Sequence, residues 1–210
     1  TRGSVRVLPG TLEPTRDLNH ARQAIVGYYG SWNEKDDPAY VARCALRLLS
    51  LDTQLRFEIV GSAPPPEIAA LFQAASFASR IKYCGRVPDD QLASTLSRWR
   101  LALLPRASCH STRYSFPNRI VELMANAVPV AVKRNIGAGG LSSSSGILLI
   151  DSDAATGANE LHRVLVANDL CSELSSSAHA ASREHAPSGL VVGQAIKDIV
   201  QLAQPTQESS

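Results

Sequence analysis

The chain has 210 residues, 44% of them hydrophobic and 19% charged, and its 21 Lys and Arg against 19 Asp and Glu leave a formal net charge of +2. Domains run about 100 to 200 residues, so this length holds one large domain or two small ones and excludes a large multidomain enzyme. A near-neutral balance without a dense basic stripe argues against nucleic acid as the main partner, and no run of about 18 apolar residues is present to form a transmembrane segment.

Short apolar runs that read as buried strands recur in chain order: Ala24 to Gly30, Arg56 to Gly61, Ile81 to Gly85, Arg100 to Pro105, Val128 to Val132 and Ile147 to Ile150. Most stop at Gly or Pro. Between them, Asp37 to Ser50, Pro65 to Ser79, Asp89 to Trp99 and Pro117 to Ala127 carry apolar residues three and four apart, the helical spacing. Alternation of strand and helix predicts an α/β fold with a doubly wound parallel sheet of about six strands, because parallel strands need a crossover and the crossover is usually a helix. From about Ala154 only helical patterns follow, at Asn159 to Asn168, Leu170 to Glu184 and Leu190 to Ala203, so C-terminal helices close the fold. Ser142 to Ser145 reads as a short polar loop and Thr206 to Ser210 as a fraying end.

The four cysteines, at 44, 84, 109 and 171, have no CxxC pair and read as reduced and mostly buried. The start, Thr1-Arg-Gly-Ser, has neither an initiator Met nor a signal-peptide pattern, which gives a cytoplasmic expectation and suggests a piece of something longer. There is no GxxxxGK[ST] loop, no GxSxG elbow and no HExxH, and Gly137-Ala-Gly139 lacks the third Gly of a dinucleotide fingerprint. The histidines show no ligand spacing. Asp151-Ser-Asp153 follows a strand, where some glycosyltransferases hold a metal. Asp153 also precedes a helical stretch and is better read as its N-cap, so no metal and no other cofactor is expected.

The informative segment runs from Tyr114 to Val132, a turn into a helix and directly into a strand. Ser115 suits the cap and Pro117 the first helical turn. Asn118 and Glu122 lie four apart and share one face, while Ile120, Met124 and Ala127 form the opposite stripe, which should pack on the sheet and hold Glu122 away from the core. Loops at the carboxyl ends of parallel strands form the ligand crevice, and a helix start there favours anions. A carboxylate one turn into that helix is placed to accept hydrogen bonds from sugar hydroxyls, although a solvated Glu on an amphipathic helix fits this segment equally well.

At these residues the chain resembles the C-terminal, donor-binding domain of GT-B glycosyltransferases of the family 4 (group 1) type. Gly27 to Lys35 is similar to that family's first strand and Gly-rich loop ending in Lys, Phe57 to Gly61 to its second strand, and Cys84 to Gln91 to its Gly-Arg-Val-Pro-Asp turn. Leu103 to Pro105 and the Pro-Asn-x-x-x-Glu helix with Pro-Val-x-Val at Pro117 to Val132 complete the series, and Val5 to Gly10 resembles the linker strand before the domain. The resemblance implies a linker-like stretch over 1–23, a Rossmann-like nucleotide-sugar-binding domain over 24–203 and a flexible tail over 204–210. It further implies a sugar passed from a nucleotide-sugar donor, with retention, to an unknown acceptor held by a separate N-terminal domain, here missing. The setting is cytoplasmic or peripheral to a membrane.

Carried over residue by residue, Glu122 binds the ribose hydroxyls, Val87 lies beside the base through its backbone, and Gly30 lets the backbone approach the diphosphate. Lys35 becomes the catalytic cation that neutralises the leaving phosphate, with Ser31 and Asn118 completing the donor-binding set. A fixed cation and helix N–H groups stabilise the charge that grows as the glycosidic bond breaks. Two positions depart from the family: Ser31 stands where an Arg usually follows the Gly, and Tyr114 where an acidic residue precedes Glu122 by eight. Arg113, Lys133 and Arg134 are the candidates to replace the missing charge. These departures motivate an alternative, a catalytically inactive nucleotide-binding module on the same fold; a doubly wound protein unrelated to sugars is a third reading.

Overall fold

The computed structural model describes residues 22–109, 112, 118–134 and 146–185, with side chains of 184 and 185 excluded. Six parallel strands form one sheet: β1 (Ile25–Gly30), β2 (Arg56–Gly61), β3 (Ile81–Gly85), β4 (Leu101–Leu103), β5 (Val130–Lys133) and β6 (Ile147–Ile150), in the order β3-β2-β1-β4-β5-β6. Registers run from Ile25 opposite Arg56 to Gly30 opposite Gly61 between β1 and β2, and from Val26 opposite Leu101 between β1 and β4. The chain therefore steps outward from β1 in one direction, then returns and steps outward in the other. This reversal sits at β1, between β2 and β4.

The helices are α1 (Pro38–Leu51), α2 (Pro66–Ala74), α3 (Asp89–Leu96), α4 (Asn118–Ala125), α5 (Ala154–Val166) and α6 (Asn168–His185). They divide between the two faces. Leu48 and Leu49 of α1, Phe72 of α2 and Leu161 of α5 pack with Tyr28, Phe57 and Ile59 in one core cluster. Leu96 of α3, Ile120 and Met124 of α4 and Ala178 of α6 pack with Ile25, Val60 and Val130 in the other. Burial of all but Tyr29 in β1 and Lys133 in β5, and of all of β4, is what a parallel sheet covered on both faces demands.

Local departures from the sequence reading have visible causes. Pro65 to Ser79 is not one helix: α2 ends at Ala74 and a separate 3-10 turn covers Ala78–Arg80. Arg80 reaches back to the end of α1, donating to Asp52 O at 2.6 Å and Leu49 O at 2.5 Å, so its bonds tie the turn to carbonyls that a helix end leaves open. α3 stops at Leu96 rather than Trp99, whose buried indole Nε1–H donates to Glu58 at 2.9 Å. α4 is buried on more than the stripe expected, with Val121, Leu123 and Ala125 enclosed as well as Ile120 and Met124, because α6 packs on its outer side. Asp153 does cap α5, accepting from Thr156 N at 2.9 Å. Cys44 and Cys171 are buried, but Cys84 and Cys109 are half-buried; all four are free thiols. The expectations for Tyr114, Ser115, Pro117, Arg113, Ser142 to Ser145 and the last helix lie outside the described residues.

Candidate functional site

The carboxyl ends of β1, β2 and β3 border a cleft of about 380 Å³. Gly30 and Ser31 enter it from the loop after β1, Gly61 and Ser62 from the loop after β2, and Val87 from the turn after β3, while Arg119 reaches in from the first turn of α4. The cleft thus adjoins the strand at which the order reverses, the place where open α/β sheets hold ligands.

A buried carboxylate shapes its floor. Asp36 is 3% exposed, although it sits in the charged run Glu34 to Asp37. Its Oδ2 accepts from the Tyr28 hydroxyl at 3.1 Å, from Ser31 N at 3.4 Å and from Arg119 Nη1 at 3.0 Å. The Tyr28 hydroxyl in turn accepts from Trp32 N at 3.0 Å, and the Trp32 indole donates to Ser62 O at 3.1 Å, which ties the first loop to the second. Trp32 adopts φ 57° to do this, with its ring 4.3 Å from that of Tyr28. Gly30 has no substitute here: a Cβ would meet the Tyr28 hydroxyl at 2.3 Å and Arg119 Nη1 at 2.7 Å.

Beside the cleft, Tyr29 hydrogen-bonds Glu122 through its hydroxyl. Burial pushes the Tyr29 phenol up to about 12, and the neighbouring Glu122 charge adds to that shift. Burial also raises the Glu122 carboxyl above its ordinary value, against the opposing pull of the Tyr29 bond. Glu122 is half-buried and is not among the enclosed residues of α4. The partly enclosed setting comes from Tyr29, whose ring also packs against the second core cluster.

Of the residues singled out from the sequence, Gly30, Ser31 and Val87 line the cleft together. Glu122 stands behind Tyr29, while Asn118 and Lys35 are exposed and lie outside the lining. Lys35 occupies a 3-10 turn, and its carbonyl accepts from Ala107 N at 2.8 Å. Lys133 pairs with Asp37 and Arg134 with Glu160, so neither is directed to the cleft. Arg119 and Asp36 were missed. For Arg119 a signal existed, since it precedes Glu122 by three and shares its helix face; for Asp36 none did, because one carboxylate in an acidic run looks like another.

A second hollow of about 430 Å³ lies at the opposite ends of the strands, lined by Arg22, Arg100 and Asn168. Its arginines already serve carbonyls, Arg22 at Trp99 and Ala127 (both 2.6 Å) and Arg100 at Leu165 (3.0 Å). Among the described residues, no group of three or more His, Cys, Asp or Glu is arranged to hold a metal, and no helix is long and apolar enough to cross a membrane.

Residues 23–167 match the family described as Glycosyl transferases group 1. The chain belongs to that family. Its sheet and C-terminal helices are a Rossmann-like half of the GT-B fold, and solved structures agree. The pneumococcal O-GlcNAc transferase GtfA, in complex with UDP and GlcNAc, is 14% identical, with a TM-score of 0.75 over 93% of this chain and 39% of that one. HepE from Anabaena, in complex with UDP, is 16% identical, with a TM-score of 0.70 over 86% of this chain and 49% of that one. A mutant of S. aureus TarM, in complex with fondaparinux, alpha-GlcNAc-glycerol and UDP, is 14% identical, with a TM-score of 0.72 over 89% and 38%. This group 1 chain therefore spans less than half the length of these three structures. No curated protein matches it.

Proposed function

We propose that the cleft after β1, β2 and β3 binds the nucleoside diphosphate of a nucleotide-sugar, and that the chain is the donor-binding part of a retaining glycosyltransferase. The observation that carries this reading is the convergence of Gly30, Ser31 and Val87 on one cleft at the reversal point of a parallel sheet. UDP in the three related structures supports it.

In this reading the diphosphate lies against the backbone at Gly30 and Ser31. Val87 flanks the base. Glu122 takes the ribose hydroxyls after Tyr29 yields its bond, and Asn118 adds a polar contact at the start of α4. On transfer, the bond from the sugar's anomeric carbon to the phosphate oxygen breaks and its electron pair stays on the diphosphate. The acceptor oxygen forms the new bond on the same face and gives its proton to the departing phosphate oxygen. Lys35 is the cation that the resemblance assigns to that charge. No metal step is included.

Transfer also needs an acceptor site, and positioning two substrates supplies a large part of any such rate. We place that site on a separate part of the enzyme. One observation favours the alternative of a binding module without catalysis: Ser31 brings no charge, and Lys35 is exposed outside the cleft lining. Calorimetric titration with UDP, GDP, ADP and TDP and their hexose conjugates tests binding, and sugar release or transfer tests catalysis. Binding with turnover in a longer chain supports the transferase, binding without it supports the module, and silence with every nucleotide rejects the site.

A further inference from the structure

With Ser31 in place of the usual arginine, the diphosphate lacks one of the two cations the family resemblance implies. The geometry points to Arg119, steered into the cleft by Asp36, as the group that holds the diphosphate in this protein. This inference rests on the donor-site reading and goes beyond it by naming a cation that the family resemblance did not supply.

Three observations support it. First, Arg119 lines the cleft beside Gly30 and Ser31, its Nη1 2.7 Å from where a Cβ on Gly30 would sit. Second, both of its bonds leave from Nη1, to Asp36 at 3.0 Å and to Tyr29 O at 3.3 Å. Nη2 and Nε have no partner among the described residues. A guanidinium carries five N–H donors in a rigid fork, so one edge is fixed by the protein and three donors stay available to phosphate oxygens. Its side chain is 33% exposed against 5% for Asp36, so the acid is the buried anchor and the arginine the accessible partner.

Third, positive charge gathers where Arg119 enters the cleft. Arg106, at the end of β4, lies close enough to both Asp36 and Arg119 to feel their charges, so two guanidiniums there face one carboxylate. The turn after β3 brings Arg86 and Asp89 to the cleft together with Val87. The end of the cleft at Arg119 is therefore cationic and suited to phosphates, while the end at the β3 turn carries both signs of charge. The two other cations considered at strand ends, Lys133 and Arg134, are held by Asp37 and Glu160.

The test uses the 210-residue chain with UDP and uridine as paired probes. Arg119→Gln should weaken UDP binding about tenfold or more, the effect of losing hydrogen bonds to a charged group, and leave uridine binding unchanged. Arg119→Lys should recover part of the loss, since it restores the charge without the fork. Asp36→Asn should reduce the affinity ratio of UDP to uridine, because Arg119 loses its anchor while the nucleoside end is untouched. If Arg119→Gln fails to fold, Arg119→Lys carries the test through the same ratio, and a ratio equal to that of the unsubstituted protein overturns the inference. Unaltered UDP affinity in a folded Arg119→Gln overturns Arg119 and leaves the donor site standing. Absence of UDP, GDP, ADP and TDP binding by the unsubstituted chain removes both.

Discussion

The Tyr29 hydroxyl and the Glu122 carboxylate share a hydrogen bond at the edge of the cleft, each in a setting that resists ionisation. Tyr29 precedes Gly30 in β1, so the bond joins the strand that carries Gly30 to the helix that carries Glu122, the proposed ribose acceptor. A sugar hydroxyl that reaches Glu122 competes with Tyr29 for the same carboxylate.

Nucleotide affinity should fall with acidification earlier than for an ordinary glutamate. Burial raises the Glu122 carboxyl above 4.5, its usual value, so it takes up a proton while the pH is still above that figure. The protonated form is a weaker acceptor for ribose. Removal of the phenol in Tyr29→Phe removes a bond that favours the carboxylate, and the midpoint should move further up. Calorimetric UDP titrations across a pH series measure both midpoints; coincident midpoints would refute the bond's influence. Stability has the opposite sign. A carboxyl raised in the folded state binds its proton more tightly there, so its contribution is complete below 4.5 and is lost as pH climbs through the folded value.

Glu122→Ala should weaken UDP binding by roughly 1 to 3 kcal/mol, the range for a hydrogen bond made to a charged group. Uridine should weaken by the same amount, because the ribose is common to both. Loss of UDP affinity with intact uridine affinity would move Glu122 from the ribose to the phosphates.

The sheet was legible because buried parallel strands leave continuous apolar runs, and Ile147–Ile150 even keeps its expected bounds. Helix ends were less legible, since Trp99 left its helix for a carboxylate on β2, 41 positions earlier. The same limit applies to the site. Gly30 and Val87 could be placed at strand ends by local pattern, whereas the Asp36 to Arg119 pair spans 83 positions and only the folded sheet brings it together. Half-burial of Glu122 also depended on the distant Tyr29, not on its own helix.

Glu58 should matter to stability and not to the ligand. It is 5% exposed in the middle of β2, accepting from the Trp99 indole at 2.9 Å and from Arg98 at 3.4 Å. Glu58→Ala leaves a buried indole N–H without its partner, at a cost of about 1 to 3 kcal/mol. Chemical denaturation should report that loss while UDP affinity of the folded fraction stays constant. A change in affinity without a change in stability would contradict this assignment.

Gly61→Ala should do both. Gly61 lies opposite Gly30 in the parallel register and adopts φ 117°, a region closed to ordinary side chains, and a Cβ there would come within 2.1 Å of Gly30 O. The contact is with backbone, so no rotamer change relieves it. Accommodation requires either β2 to flip its terminal peptide or β1 to move at Gly30, and strain of this kind costs on the order of 1 to 3 kcal/mol. Either movement also disturbs the cleft, because Ser62 N donates to Gly30 O at 3.1 Å and Ser62 O receives the Trp32 indole. The expected result is a lower denaturation midpoint together with weaker UDP binding, with uridine less affected because its proposed contacts, Val87 and Glu122, lie on β3's turn and α4. Unchanged UDP affinity in a destabilised Gly61→Ala would show that the diphosphate does not rest on the β1 and β2 loops.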